Sequence, residues 1–321
     1  MTKRLKIWLI IATSLVLIGS LIFVGVMTTL NWDFKKLSTK NYGTTGYVFT
    51  KEYRDIKIST KAADIVFLPS EIEATKVECF EYKNVRHSVA INDEVLEIRV
   101  EDNRKWFQHI GINWSVPKIT IYIPKGEYGS LAINSSTGKV EISNDFTFER
   151  MDISVSTGDI ETSASVTEAV KIKASTGDII VQNITAKELD LSATTGNITA
   201  EGVKVELDFR TNASTGDISL TDVTCRNIIS NANTGDMAMT SVIAAETFSI
   251  KRSTGNVSFE NCDATDLYIT TDTGSVVGTL KTSKVFIVET DTGSVNVPKT
   301  TEGGKCEITT DTGNIKIDIV P

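Results

Sequence analysis

Residues 151–198 read MDISVSTGDIETSASVTEAVKIKASTGDIIVQNITAKELDLSATTGNI, and the fold follows from this stretch. Ser-Thr-Gly-Asp-Ile occurs twice, at 156–160 and 175–179, and Thr-Thr-Gly-Asn-Ile follows at 194–198. Extended outward, Thr-Gly recurs with its glycine at Gly138, Gly158, Gly177, Gly196, Gly216, Gly235, Gly255, Gly274, Gly293 and Gly313, always 19 or 20 residues apart. So regular a step marks an internal repeat, which must be recognised before any shorter motif is weighed.

The columns around the glycine define the unit. Two residues after it, all ten copies are apolar, from Val140 to Ile315. Seven before it, nine are clearly apolar and the tenth is Cys306, a thiol that packs like a small hydrophobe. Five before it, eight are Ile, Leu or Val, with Thr211 and Ser230 as exceptions. Three before it the residue is often small, as at Ala174, Ala193, Ala213 and Ala232. Apolar positions at −7, −5, +2 and +4 with polar residues between them have period 2, the signature of strands, where a helix needs 3.6. The glycine supplies a corner closed to residues with a Cβ, and Asp or Asn often follows it, as turns favour.

A copy of 19–20 residues holds two strands and a short third segment, and no copy can bury its own inner face. Stacking at ~4.8 Å pairs each strand with its equivalent in the next copy. The sequence therefore predicts an all-β fold: a parallel β-solenoid of about ten rungs over residues 129–321, roughly 45–50 Å long. A propeller blade needs about twice this period, and the Leu/Asn signature of a leucine-rich repeat is missing. The last strand, Asn314 to Val320, is expected to turn Ile315, Ile317 and Ile319 inward on the final rung and leave its outer edge unpaired. Lys316, Asp318 and Pro321 then act as edge blockers, and a monomeric ectodomain is expected.

Residues 47–128 differ. Runs such as YVFTKEYRDIKIST, DIVFLP, KVECFEY, EVLEIRVE and KITIYIP alternate as antiparallel strands do, and Ala62-Ala63-Asp64-Ile65 resembles a degenerate Thr-Gly-Asp-Ile corner. This region reads as a β-rich cap and opening rungs, which a solenoid needs because an open end exposes core and strand edge. Residues 31–46 read as a juxtamembrane linker.

Residues 1–30 are a short cytoplasmic N-terminus and a transmembrane anchor. Ile7 to Leu30 carry no charge, about 36 Å of helix at ~1.5 Å per residue, enough for a bilayer of roughly 30 Å. A cleaved signal peptide has a shorter apolar region of ~7–15 residues and a small-residue cleavage site, and Met27-Thr28-Thr29-Leu30 is a poor one. Lys3, Arg4 and Lys6 lie closer to the apolar run than Lys35, Lys36 and Lys40, and Asp33 dilutes the latter. The N-terminus is therefore placed inside and the body outside, a single-pass cell-membrane protein.

The chain of 321 residues carries 33 Lys+Arg against 41 Asp+Glu, a net charge of −8. Three of the basic residues precede the anchor, so the body is more acidic still, which argues against nucleic acid as a partner. Two histidines, His87 and His109, argue against most histidine catalysis and against a multi-histidine metal site. Cys79, Cys225, Cys262 and Cys306 do not make a disulfide scaffold. Neighbouring cysteines in the repeat lie about two rungs apart, beyond the ~7 Å reach between Cα atoms, and four free, mostly buried thiols are expected.

An N-terminal anchor, a strand ending in Pro-Lys-Gly (Ile119 to Gly126) and serial Ser-Thr-Gly-Asp-Ile turns resemble the bacterial extracytoplasmic β-strand-repeat family known as "putative adhesins", which includes LiaG-like proteins. The resemblance covers roughly residues 47–321. It implies a surface protein of the cell envelope and supplies no catalytic residues.

Asp-Thr-Gly occurs at Asp272, Asp291 and Asp311, the first two followed by serine as in aspartic proteases. That chemistry needs two carboxylates about 3 Å apart between two lobes. The same column elsewhere holds Ser136, Ser156, Ser175, Thr194, Ser214, Asn233 and Ser253, so it is a turn position that drifts from Ser to Asp. Asp159, Asp178, Asp217 and Asp236 form a second acidic column that oxygen-loving Ca²⁺ would suit, but the Gly-Gly-x-Gly-x-Asp rhythm of calcium repeats is missing. They read as solvated turn carboxylates. The loop with Arg104, Lys105, Trp106, Phe107 and Trp114 is a possible binding loop, or a lid over the open end of the core. No catalytic, metal or cofactor site is assigned. The leading expectation is a non-enzymatic, adhesin-like binding, scaffold or envelope-sensing protein with an unknown envelope partner. The alternative is a polysaccharide-acting enzyme, which typically needs a carboxylate pair in a groove.

Overall fold

The computed structural model describes residues 3–33, 42–82, 84–103 and 116–320. Helix α1 (Lys3–Thr29) is long and apolar enough to cross a membrane. Most of the rest is a parallel β-solenoid of about ten turns. Each rung carries a long strand before the glycine and a shorter one after it, and in several rungs a short third segment such as Thr185–Ala186 or Lys204–Val205. Equivalent columns pair in register: Leu189 lies opposite Phe209, and Ile198 opposite Ile218. The −7, −5, +2 and +4 side chains line one continuous core in which Phe209, Phe248, Ile228 and Leu220 are fully buried. Where the −5 positions turn polar, they satisfy each other: Thr211 Oγ1 donates to Ser230 Oγ at 2.9 Å, both buried.

The corner explains why glycine repeats. At Gly216 φ is +142°, and a Cβ would lie 2.0 Å from the carbonyl oxygen of Gly196 in the rung below. The corners stack backbone on backbone, so any side chain must push two rungs apart.

The residue after the glycine also has a definite task. Asp159 Oδ1 accepts the backbone N–H of Asp178 at 2.9 Å, Asp178 that of Asn197 at 2.7 Å, and Asn197 that of Asp217 at 2.9 Å. The ladder continues through Asp217 to Asp236 and Asp236 to Asn256. A corner bends the chain out of the strand ladder, and these side-chain acceptors take the N–H that the bend would leave unpaired.

The opening rung comes from β2 (Asp55–Ala62) and β3 (Asp64–Pro69), which run parallel to the Gly138 rung. Ala63 holds the corner, with its carbonyl 2.1 Å from where a Cβ on Gly138 would lie. Over this rung lie four further strands: β4 (Thr75–Tyr82), β5 (Val85–Asn92), β6 (Val95–Asp102) and β7 (Lys118–Ile123). β6 pairs parallel with β2 and antiparallel with β5, and β7 pairs parallel with β3 and antiparallel with β4. The N-terminal edge of the solenoid is thus covered by the chain's own strands. β1 (Tyr42–Phe49) pairs with β4 along its whole length, and Tyr42 stacks on Phe80 at 5.2 Å. Strand structure therefore begins inside the stretch that reads as linker, because an aromatic pair holds it to the cap.

The C-terminal end corrects the expected order. The Gly313 rung (Gly304–Thr312 and Ile315–Ile319) is not the last. It lies between the Gly274 rung and the Gly293 rung, pairing Ile315 with Val276 on one side and Val295 on the other. Ile317 is fully buried, and the outer edge belongs to Lys284–Thr292 and Val295–Asn296. Proline supplies the reason. Pro298 falls just past Asn296 in the Gly293 rung, lacks an N–H for a further neighbour and cuts the strand to two residues. Ile315–Ile319 has five residues able to pair on both sides, so it takes the inner place. The exposed tip then shows Val285, Ile287 and Val295, each more than a third exposed.

Candidate functional site

Before each corner the long strand bends. Ala193 pairs with Ala213 and Thr195 with Thr215, but the residues between, Thr194 and Ser214, drop out of the ladder. The bend makes the outer face concave, and over successive rungs it forms a groove of about 560 Å³. One wall carries Ser192, Asn212, Asn231, Lys251 and Thr270, extended by Lys173. The other carries Thr194, Ser214, Asn233, Ser253 and Asp272. The buried residues Ala193, Ala213, Ala232 and Arg252 lie between them and form the floor. Asn231 Nδ2 reaches Asn212 Oδ1 at 3.4 Å, which leaves the other amide atoms for a ligand.

Arg252 breaks the small-residue column. It is 3% exposed, its Nη1 donates to the carbonyl of Gly235, and its Nε and Nη2 have no partner. Burial pulls its pKa down to about 10, against the opposing pull of Asp236 and Asp217, so it stays charged at neutral pH. Other rungs fill this column with a hydroxyl: Thr310 Oγ1 donates to the Gly274 carbonyl at 2.9 Å. The break from alanine to arginine is visible in the sequence once the columns are aligned. The groove is not, because it depends on where the strand bends.

A second cluster lies in the cap. Cys79, Glu81 and His87 are buried, with their ligand atoms all within 4.8 Å of one another. Every side-chain oxygen of Glu81 and ring nitrogen of His87 is engaged. Glu81 Oε2 accepts from His87 N at 2.6 Å and lies 2.9 Å from His87 Nδ1, and Oε1 accepts from Thr45 Oγ1 at 3.1 Å. His87 Nε2 lies 2.8 Å from Thr60 Oγ1. The cluster ties β1, β4 and β5 to β2, and burial pushes the Cys79 thiol up to about 12, away from the thiolate a metal needs. Cys79 and Glu81 alternate on one strand face, but only strand pairing brings His87 to them.

All four cysteines are free and buried. The Asp272, Asp291 and Asp311 carboxylates are exposed, one per rung. Arg104, Lys105, Trp106, Phe107 and Trp114 lie outside the described residues. The ten corner glycines stack in one line, with Gly313 against Gly274 and Gly293 against Gly313.

The family model for Toastrack DUF4097 matches residues 53–213 and again residues 207–321. No curated protein matches the chain. Among solved structures, a "putative adhesin" from Parabacteroides distasonis is 11% identical with a TM-score of 0.52, covering 87% of this chain and 98% of that one. A "putative adhesin" from Bacteroides fragilis is 17% identical with a TM-score of 0.47, over 76% and 97% of the two chains. A "putative lipid binding protein" from Parabacteroides distasonis is 17% identical with a TM-score of 0.48, over 88% and 98%. The first likeness is one of fold.

Proposed function

The chain belongs to the Toastrack DUF4097 family, and from that premise we propose that it is a non-enzymatic, membrane-anchored, adhesin-like protein whose solenoid presents a binding surface outside the cell. Helix α1 serves as a single-pass anchor with the N-terminus in the cytoplasm, by the charge placement of Lys3, Arg4 and Lys6. The observation that carries the reading is the groove. It is long and lined by amides and hydroxyls, and Asp272 is the one carboxylate among the described residues that line it. Hydrolysis of a glycan by the usual route needs two carboxylates across the scissile bond. Binding needs only the complementary donors and acceptors that the repeats supply.

The test combines the purified full chain in detergent with isolated cell envelopes. Co-sedimentation without release of soluble sugar supports a binding role. Steady release of sugar, abolished by Asp272→Asn, would replace it with the enzyme reading.

A further inference from the structure

We propose that the groove between the Ser192 and Thr194 columns is a binding site for an acidic, hydroxyl-rich polymer; this rests on the binding role argued above and names its ligand class. Charge is the first ground. In a body with excess negative charge, the groove lining carries Lys173, Lys251 and Arg252 against Asp272 alone, a net positive strip. A positive cleft in a negative surface selects an anion and repels the protein's own surroundings.

Arg252 is the second ground. A guanidinium that is 3% exposed, with two nitrogens lacking partners, is costly to bury. Other rungs manage the same position with alanine, valine, serine or threonine, so the corner does not require it. Arg252 lies in the floor and acts through its field, which the low-dielectric interior screens weakly. An anion seated above it would compensate its charge beyond what Asp217 and Asp236 already do.

The third ground is repetition. Asn212, Asn231 and Asn233 offer both donors and acceptors, and Ser192, Ser214 and Ser253 offer hydroxyls, at a rise of ~4.8 Å per rung. A periodic row of this kind suits a chain of polyols rather than a single ion. No aromatic side chain is among the lining residues, so recognition works by hydrogen bonds and charge rather than by stacking.

The anion can be a carboxylate or a phosphate diester, and the experiment separates them. The full chain in detergent is titrated with polygalacturonate, with poly(glycerol phosphate) and with neutral dextran at two salt concentrations. At least one polyanion is expected to bind tenfold or more tightly than dextran, with affinity falling as salt rises. The better of the two identifies the anion. The double variant Lys173→Glu/Lys251→Glu is expected to lose that preference at unchanged melting temperature. The control Lys57→Glu/Lys204→Glu alters two exposed lysines elsewhere by the same charge and is expected to keep it. Equal binding of all three polymers, no binding of either polyanion, or equal loss in both double variants would overturn the site. Envelope co-sedimentation that persists in Lys173→Glu/Lys251→Glu would overturn the groove and leave the general binding role standing.

Discussion

Cys306 lies directly opposite Leu267 in the parallel ladder, although the two are 39 residues apart where neighbours among the other Thr-Gly rungs are separated by 19 or 20. The chain has skipped a rung and come back to fill it. The apolar edge strand at the tip is therefore Lys284–Thr292, and residues of the final strand are interior. Two substitutions separate this arrangement from simple serial stacking. Ile317→Lys places a charge in the core and is expected to destabilise by about 4 kcal/mol or more. Val297→Lys, at the equivalent inward position of the tip rung and only half-buried there, is expected to cost no more than about 2 kcal/mol. The reverse pattern would restore the serial order.

Gly216→Val tests the corner. The new Cβ would meet the Gly196 carbonyl at 2.0 Å, and φ of +142° is closed to a β-branched residue. Neither contact partner is a flexible side chain, so two rungs must separate. A loss of about 3 kcal/mol or more in chemical denaturation is expected. An unchanged denaturation midpoint would mean the corner can relax.

The Asp-Thr-Gly turns give an opposite sign. Asp272, Asp311 and Asp291 occupy successive rungs in space and are solvent-exposed, and other rungs carry serine there. The triple change to Ser removes like charges stacked ~5 Å apart, so stability stays equal or rises slightly, most visibly at low salt. Calorimetry at two salt concentrations checks this.

Arg252→Ala restores the residue that the Gly196, Gly216 and Gly235 rungs use. Because burial lowers the folded-state pKa of Arg252 to about 10, its charged form is disfavoured by folding throughout the neutral range. Removing it is expected to raise stability by about 1–3 kcal/mol, less whatever the lost bond to the Gly235 carbonyl contributed. A lower melting temperature in Arg252→Ala would show that the guanidinium is structurally required.

The thiols set an alkaline limit. Burial raises Cys79, Cys225 and Cys306 from 9.0 to about 12 and Cys262 to about 11. Below pH 9 both folded and unfolded chains hold the protons, so the full contribution is present. Between about 9 and about 12 the unfolded thiols ionise first, and that stability is progressively lost. The native protein is expected to resist iodoacetamide at pH 8 and to react fully in denaturant, as read by mass spectrometry.

The sequence by itself determined the rung. The period, the apolar columns from Leu131 to Ile315 and the glycine at each corner are local requirements, since every copy must bend at the same place and turn the same side chains inward. It also determined the long apolar N-terminal helix, whose length is readable without any partner, and the burial of the four cysteines. Only the tertiary structure decided the order in which rungs stack. Serial stacking and the observed insertion use the same strands and the same inward columns, and the choice turns on how Pro298 ends one strand while Ile315–Ile319 remains free to pair on both sides. The same holds for the Cys79–Glu81–His87 cluster and for the groove. One depends on which strands of the cap lie side by side. The other depends on a bend that draws together residues 19 or 20 positions apart, and no single copy of the repeat contains either.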